Sequence, residues 1–476
     1  MKKTNVLIIG GGPGGAAAAM FLLREGIKPL LIEQEEFPRF HIGESMTGEA
    51  AALLRRLGIG DAMVERDFPV KYGVRVFGTS SWFIPVARRN ENWELELGST
   101  WQVRRSEFDS MMLKEAEARG AIIMRGRAKE ALLTADGGLR AVRFEQPDGT
   151  SEEVEAQVVL DCSGMATFLA NQKVTGPKYV GSYDKQIAFF AHVKGAIRDS
   201  ETSGEMAKDN TLIFYKQKFH WAWAIPVDNE VVSIGLVVPT AEYVKHQQTP
   251  SNFFSSYLPT IHPELARRIE KIELVEKVRV IPNYSYQVRG FCGKGFICIG
   301  DAHRFVDPIF SFGLSTTLRE AEFAIPHIVA YLNGRGRDAM NPFDEYQRFC
   351  EMGLDNLEDM VDLFWEQPFA FATFVHHRYR HELTDAFAGR VYASEHQPSN
   401  AIMQFRKLLK RERDYNHPDD YSVPIGSRYH PERAALWEPD SPIEGTEAWI
   451  GRGNGQHEAS ESPASQRSSS KLISID

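Results

Sequence analysis

Gly10, Gly12 and Gly15 stand in the spacing G-x-G-x-x-G between the apolar run NVLIIG and the alanine-rich run AAAAMFLLREG. The chemistry of that spacing is phosphate binding. Side chains there would block both the tight turn and the approach of a pyrophosphate. The helix start behind them offers unpaired N–H groups at the positive end of its dipole. Glu33 closes the next apolar run, KPLLIEQ, about 20 residues on, where a carboxylate accepts hydrogen bonds from ribose hydroxyls. A second pattern with chemical potential is FVDPIFSFGLS, Phe305 to Ser315, directly after GFICIGDAH. A glycine turn at a helix start gathers N–H donors in the way a small anion needs. In FPVKYGVRVFG, Lys71 alternates with Val70 and Tyr72 and shares a strand face with Gly73, which predicts room around the ammonium. Most lysines are solvated, so this one gains meaning only from its neighbours. Alternation in WAWAIP puts Trp221, Trp223 and Ile225 on one strand face. That face is either a stiff dry wall or an aromatic core strand.

The elements that must position these residues are legible in part. NVLIIG, the glycine turn, the helix ending at Gly26 and KPLLIEQ make a β-α-β unit of about 30 residues. TWQVRRSEFDSMMLKEAEARGA reads as a strand leading into a helix. AVRFEQPDGTSEEVEAQVVLDCSG reads as a hairpin about Asp148 and Gly149, then a buried strand ending at Asp161. From Ile187 to Val280 strand-like runs alternate with polar loops, FHWAWAIPVDNEVVSIGLVVP being the clearest hairpin. Beyond Asn341 the chain turns helical and aromatic, with Leu354, Leu357, Met360 and Phe364 at helical spacing.

The 476 residues are 43% hydrophobic and 25% charged, a soluble globular composition with room for two or three domains. A net charge of -9 sets up no basic field, which argues against nucleic acid as a partner. Cys162, Cys292, Cys298 and Cys350 have neither metal-like nor disulfide-framework spacing, which suits buried thiols in a reducing cytoplasm. The first residues mimic a signal peptide, but GGGPGG breaks the apolar run, so they are read as folded structure. No apolar run reaches the length of a membrane span. No metal is expected, since the adjacent His376 and His377 cannot face one ion from a helix.

VLDCSG (Val159 to Gly164), GDA with Asp301, and QVRRSEFD, together with the glycine turn, resemble the flavoprotein hydroxylases and their relatives. The resemblance covers residues 1 to about 330 and implies FAD. It places Asp301 on the ribityl or pyrophosphate region and Arg105 near the adenine–phosphate part, with Arg104 a rival one position away. EFPRFHIGESM is similar to the F-P-R-x-x-x-G-E-S segment shared by flavin-dependent halogenases and geranylgeranyl-reductase-like proteins, which implies Gly43, Glu44 and Ser45 near the middle of the flavin. WAWAIP matches the W-x-W-x-I-P signature of the halogenases, where Trp221, Trp223, Ile225 and Pro226 would wall a tunnel. Phe305, Pro308, Ser311 and Gly313 match F-x-x-P-x-x-S-x-G of the same family. That implies chloride or bromide on the backbone N–H groups of Phe312 and Gly313, with Pro308 and Gly313 beside the cofactor. Lys71 matches the position of the halogenase lysine.

The chain is thus similar to flavin-dependent halogenases of the phenol/pyrrole type. The implied fold is α/β. A Rossmann-like, glutathione-reductase-type FAD domain spans 1–186 and 281–340, with substrate-side strands near 68–104. An interleaved antiparallel-sheet substrate domain spans 187–280, a helical region 341–450 and a disordered tail 451–476. In the implied reaction, reduced FAD from a separate flavin reductase, O2 and halide give hypohalous acid. This crosses a short tunnel to Lys71 and substitutes on an electron-rich ring. Phe310 stands where tryptophan halogenases carry a glutamate. That points to a phenol or pyrrole, free or tethered to an acyl or peptidyl carrier protein, and FRKLLKRERDY is a basic stretch that could meet such a carrier. Phe312 replaces the usual small Ser or Thr, so room for the ion depends on where its ring turns. The alternatives are an FAD-dependent reductase of isoprenoid double bonds and a single-component aromatic hydroxylase.

Overall fold

Strands covered on both faces lose polar alternation, and the apolar runs NVLIIG and KPLLIEQ show it. In the computed structural model, residues 2–90, 92, 94–183, 185–199, 208–392, 399–409 and 473–474 are described. Lys2–Ile9 lies parallel to Leu30–Glu33, with Ile8 opposite Leu31. The first sheet runs in the order 127–133, 139–145, 151–161, 2–9, 30–33, 122–125. Phe296–Cys298 adds to it in parallel along 151–161. Ile9, Asp161 and Cys298 stand level across this sheet. The glycine turn, the VLDCSG loop and the GDA turn therefore leave it together at the carboxyl edge, where open parallel sheets bind ligands. Helix Pro13–Arg24 packs on helix Gly313–Leu332. Gly14 permits this, because a Cβ there would stand 2.7 Å from the Thr317 side chain.

The second sheet runs 473–474, 279–282, 186–194, 232–239, 220–226, 211–217, 73–77, 81–85. Its neighbours are antiparallel except Thr211–Gln217 beside Gly73–Phe77. Strand His220–Pro226 is buried throughout and sorts its residues by face. Ala222 and Ala224 join the core under Phe253 and Phe254, where small side chains let the helix Pro250–Tyr257 close in. Trp221, Trp223 and Ile225 join the opposite core with Ile309, Phe312 and the helix Asp344–Glu366. The α/β architecture read from the sequence is the one observed.

One expectation needs correction. Val70–Lys71 forms a short ladder with Thr100–Trp101, and Tyr72 interrupts the chain before Gly73–Phe77 begins. Gly73 does not leave space for the ammonium, since the place of its Cβ is 2.1 Å from the Phe83 ring. Phe83 fills that gap. Of the tail 451–476, the described residues are Ile473–Ser474, whose strand pairs with Arg279–Val280. The remainder, and FRKLLKRERDY beyond Leu409, lie outside the described residues.

The helix Asp344–Glu366 carries Leu354, Leu357, Met360 and Phe364 into the second core. It also buries acids, two of them met by guanidiniums: Arg304 donates to Asp355 at 2.9 Å and Arg406 to Asp359 at 2.6 Å. Among the described residues, no helix is long and apolar enough to cross a membrane.

Candidate active site

At the carboxyl edge of the first sheet, Gly10 adopts φ +102°, a left-handed backbone suited to glycine, and a Cβ there would stand 2.4 Å from the Cys162 carbonyl. Gly15 lets the helix close on the turn, its missing Cβ lying 1.9 Å from the Gly10 carbonyl oxygen. Gly12 caps the helix without a side chain in the way, and the Arg39 guanidinium lies 3.5 Å from where its Cβ would be. Glu33 is buried and accepts from Gly11 N–H at 2.5 Å and Glu35 N–H at 2.6 Å.

The two candidate arginines part ways at the start of helix Arg105–Ala118. Arg105 turns inward, donates to the carbonyls of Ile42 (2.6 Å) and Gly43 (3.1 Å), and is held by Asp109 at 2.7 Å. Arg104 turns outward and pairs with Asp228. Burial, then Arg105 and Arg39, press His41 down to about 3, so the imidazole stays neutral between two cations. Burial pushes Asp301 up to about 7 against the pull of Arg105. Among the described residues its carboxylate makes no hydrogen bond; only its backbone carbonyl does, accepting from Tyr286 at 2.5 Å. A compact glycine turn, two cations and an acid without a protein partner fit a bound dinucleotide.

Lys71 is buried against the segment Ser45–Met46. Its Nζ donates to the Met46 carbonyl and contacts Ser45 Oγ, both at 2.9 Å. Burial lowers its pKa to about 7, and no charged group contributes. It borders a cavity of about 40 Å³ whose other walls include Thr47, Ile213, Phe310, Phe364 and Phe387. Glu44 points elsewhere. Its carboxylate meets His192 Nε2 at 2.5 Å on the second sheet, and Glu276 meets Nδ1 at 3.1 Å. Burial alone would lower the His192 pKa, but the two carboxylates outweigh it and raise it to about 9.

The turn from Phe305 to Ser315 joins cavity and helix. Asp307 Oδ1 accepts from Ile309 N–H at 2.9 Å, shaping the short 3-10 turn Pro308–Phe310. Ser311 then reverses the chain at φ +60°. The Phe312 ring is buried in the apolar core with Ile309 and the indoles. It therefore leaves the helix start, and nothing lies within 4 Å of a Cβ placed on Gly313. Among the described residues, the Phe312 and Gly313 N–H groups donate to no protein acceptor. The indoles of Trp221 and Trp223 lie 5.7 Å apart by centroid, and Ile225 and Pro226 continue that buried strand. None of these four lines the Lys71 cavity.

Sequence reasoning missed Arg39, although its motif, F-P-R, was in view. It also missed Gln102 and Thr211, which hold Ser45 and carry no local signal. His303, Glu320 and Cys350 cluster within 4.8 Å. Glu320 is already satisfied by Gly300 N–H, His303 and Tyr392, at 2.7, 2.9 and 3.0 Å, so this is a hydrogen-bonded core.

A family model described as FAD binding domain matches residues 3–356. The chain is 35% identical over 373 residues to a brominase of 1H-pyrrole-2-carbonyl groups on a peptidyl-carrier protein from Pseudoalteromonas luteoviolacea. The match covers 78% of this chain and 87% of the relative. It is 27% identical over 420 residues to the corresponding chlorinase of Pseudomonas fluorescens, covering 82% and 90%. The solved structure of the flavin-dependent brominase Bmp2 superposes with a TM-score of 0.78 at 33% identity, covering 86% of this chain and 98% of that one.

Proposed function

The chain belongs to the flavin-dependent halogenases, and on that premise we propose that it chlorinates or brominates a pyrrole or phenol ring tethered to an acyl or peptidyl carrier protein. The observation that carries the reading is Lys71, a buried amine that no carboxylate pairs, set in the wall of an apolar cavity. When bound, reduced FAD from a separate flavin reductase supplies, with O2, the oxidising equivalent that turns halide into hypohalous acid.

The rest is the work of this chain's residues. Gly10, Gly12 and Gly15 admit the pyrophosphate, Arg39 and Arg105 balance its charge, and Glu33 receives the ribose. Asp301 meets the ribityl side, and Gly43, Ser45 and Pro308 flank the ring. The N–H groups of Phe312 and Gly313 hold the halide at the start of a 20-residue helix. Trp221 and Trp223 keep water and substrate off that side. Lys71 receives the hypohalous acid and aims it at a ring held by Phe310, Phe364 and Phe387. A phenylalanine at 310 offers no base for the ring proton, which suits rings activated by their own oxygen or nitrogen. The substrates of the two bacterial relatives support a carrier-borne pyrrole. The four cysteines are free and mostly buried, which supports a reducing cytoplasm as the setting. No feature of the site favours an isoprenoid reductase or a single-component hydroxylase.

The test is a reaction of holoenzyme, flavin reductase, bromide and O2 with pyrrolyl-loaded carrier, followed by mass spectrometry of the carrier. A bromine isotope doublet is expected. Its absence with pyrrolyl and phenolic carriers, and with the free rings, overturns the proposal.

A further inference from the structure

The helix Pro368–Thr373 lies against the aromatic wall of the Lys71 cavity. Phe371, on its inner face, stacks parallel to Phe310 at 6.1 Å between centroids. It meets Phe364 at 5.3 Å and Phe387 at 6.0 Å edge-on. All three of those rings line the cavity. On the outer face Phe369 is 90% exposed, and Ala372 and Thr373 are open to solvent with it. A helix with its side chains is about 10–12 Å across, so the exposed ring and the cavity wall stand one helix apart.

A turn of π-helix, Phe374–Arg378, and the helix Arg380–Phe387 continue this surface. Their inward residues Phe374, Val375 and Leu383 are buried. Outward stand His377, Arg378, Arg380 and His381, all exposed. The stretch HHRYRH, from His376 to His381, contains no acid. The next acid, Glu382, accepts from the Ala401 N–H at 2.9 Å. Among the described residues Arg378 and Arg380 form no ion pair, and the Arg378 guanidinium lies over the Tyr379 ring at 5.3 Å. Arg380 and His381 open a helix, the end at which its dipole disfavours a cation. Local folding therefore gains nothing from this cluster, and it stands on a chain of net charge -9.

We propose that the outer face of residues 369–381 is the docking surface for the carrier protein that bears the ring. The proposal rests on the reading of a carrier-borne substrate. Carrier domains are acidic, and the arm that holds the ring is joined to them through a phosphodiester. At physiological salt, charges are screened beyond about 8 Å. The net charge of the chain then matters little at contact, and the local cations Arg378 and Arg380 decide it. Phe369 supplies the apolar anchor, since a ring of that size gains by leaving water in a packed interface. An exposed ring alone is ordinary. This one stands beside unpaired cations and one helix away from the wall built by Phe310, Phe364 and Phe387.

The test measures binding and does not depend on turnover. Fluorescence-labelled carrier domain, loaded with pyrrole-2-carbonyl on its arm, is titrated with holoenzyme and read by anisotropy. The double substitution Arg378→Glu with Arg380→Glu is expected to raise Kd at least about tenfold, and Phe369→Ser about tenfold. Added salt is expected to weaken the wild-type complex and to leave the charge-reversed one nearly unmoved. FAD content and flavin oxidation are the fold controls, expected unchanged because these side chains are exposed. If charge reversal lowers FAD content, Arg378→Gln with Arg380→Gln decides, with Kd expected to rise in the same direction. A carrier that binds wild type and variants equally overturns the docking surface and leaves the substrate reading standing. A variant that changes the oligomeric state in sedimentation but not the carrier affinity gives this face to a second copy and overturns the proposal too. No binding to wild type, with free pyrrole still brominated, overturns the tether and the surface together and leaves the halogenase chemistry intact.

Discussion

The Nζ of Lys71 lies 2.9 Å from the Oγ of Ser45, a residue of the segment we propose to lie beside the flavin. The amine is therefore tied to the cofactor loop and not to the chamber's far wall. A change in that loop reaches the amine through two hydrogen bonds, to Ser45 Oγ and to the Met46 carbonyl.

Lys71→Ala is expected to lower ring halogenation at least about a hundredfold, while FAD affinity and flavin oxidation stay within about twofold. Product by mass spectrometry and flavin turnover by absorbance separate the two. Lys71 also leaves a signature in stability. Its folded pKa of about 7 lies below its ordinary 10.5. Between those values the unfolded chain binds a proton that the folded chain does not, so stability gains with rising pH across that window. Relative to Lys71→Met, the wild type should gain stability from pH 7 to 10 in denaturant unfolding. A difference that is flat in pH would contradict the buried amine.

Gly313→Ala tests the anion site. Its added methyl meets no atom within 4 Å, and the site is the first turn of a helix. The melting temperature should hold or rise slightly. The methyl would occupy the space assigned to halide, so KM for bromide is expected to rise with FAD binding intact. An unchanged bromide KM would place the halide elsewhere.

Trp221→Phe tests the partition. Trp221 is almost fully buried, and Trp221→Ala would cost about 3–5 kcal/mol by cavity formation. The phenylalanine keeps most of the packing. The expected change is leakage, seen as more hydrogen peroxide released per halogenated product. An unaltered ratio would leave the indoles as core packing only.

His192 tests the second sheet's anchor on Glu44. Its folded pKa, about 9, stands above its ordinary 6.5. That contribution is complete below 6.5 and is lost as pH rises through 9. His192→Asn is expected to cost about 2–3 kcal/mol near pH 6, since it leaves Glu44 buried without its cation. The gap from wild type should narrow above pH 9, as urea unfolding at several pH values would show.

The βαβ nucleotide turn and the shared face of Trp221, Trp223 and Ile225 were legible in the sequence, because each depends on short-range period. Strand alternation and helix-start geometry act within a few residues, and no distant partner can alter them. The same rule misled at Lys71 and Gly73. Alternation assumed an unbroken strand, and the Phe83 ring, brought in by the neighbouring strand, occupied the gap.

What the amino-acid order determined by itself was the set of chemical groups and the turns that present them. What only the tertiary structure decided was which groups meet. Arg105 rather than Arg104 faces the turn because the helix start fixes their directions. Ser45 finds Thr211 across 166 positions of chain, and the Phe312 ring goes to the core and leaves the Gly313 N–H open. Such contacts form when sheets and helices bury their apolar faces together, and burial is a property of the whole packed molecule, with no local period to announce it.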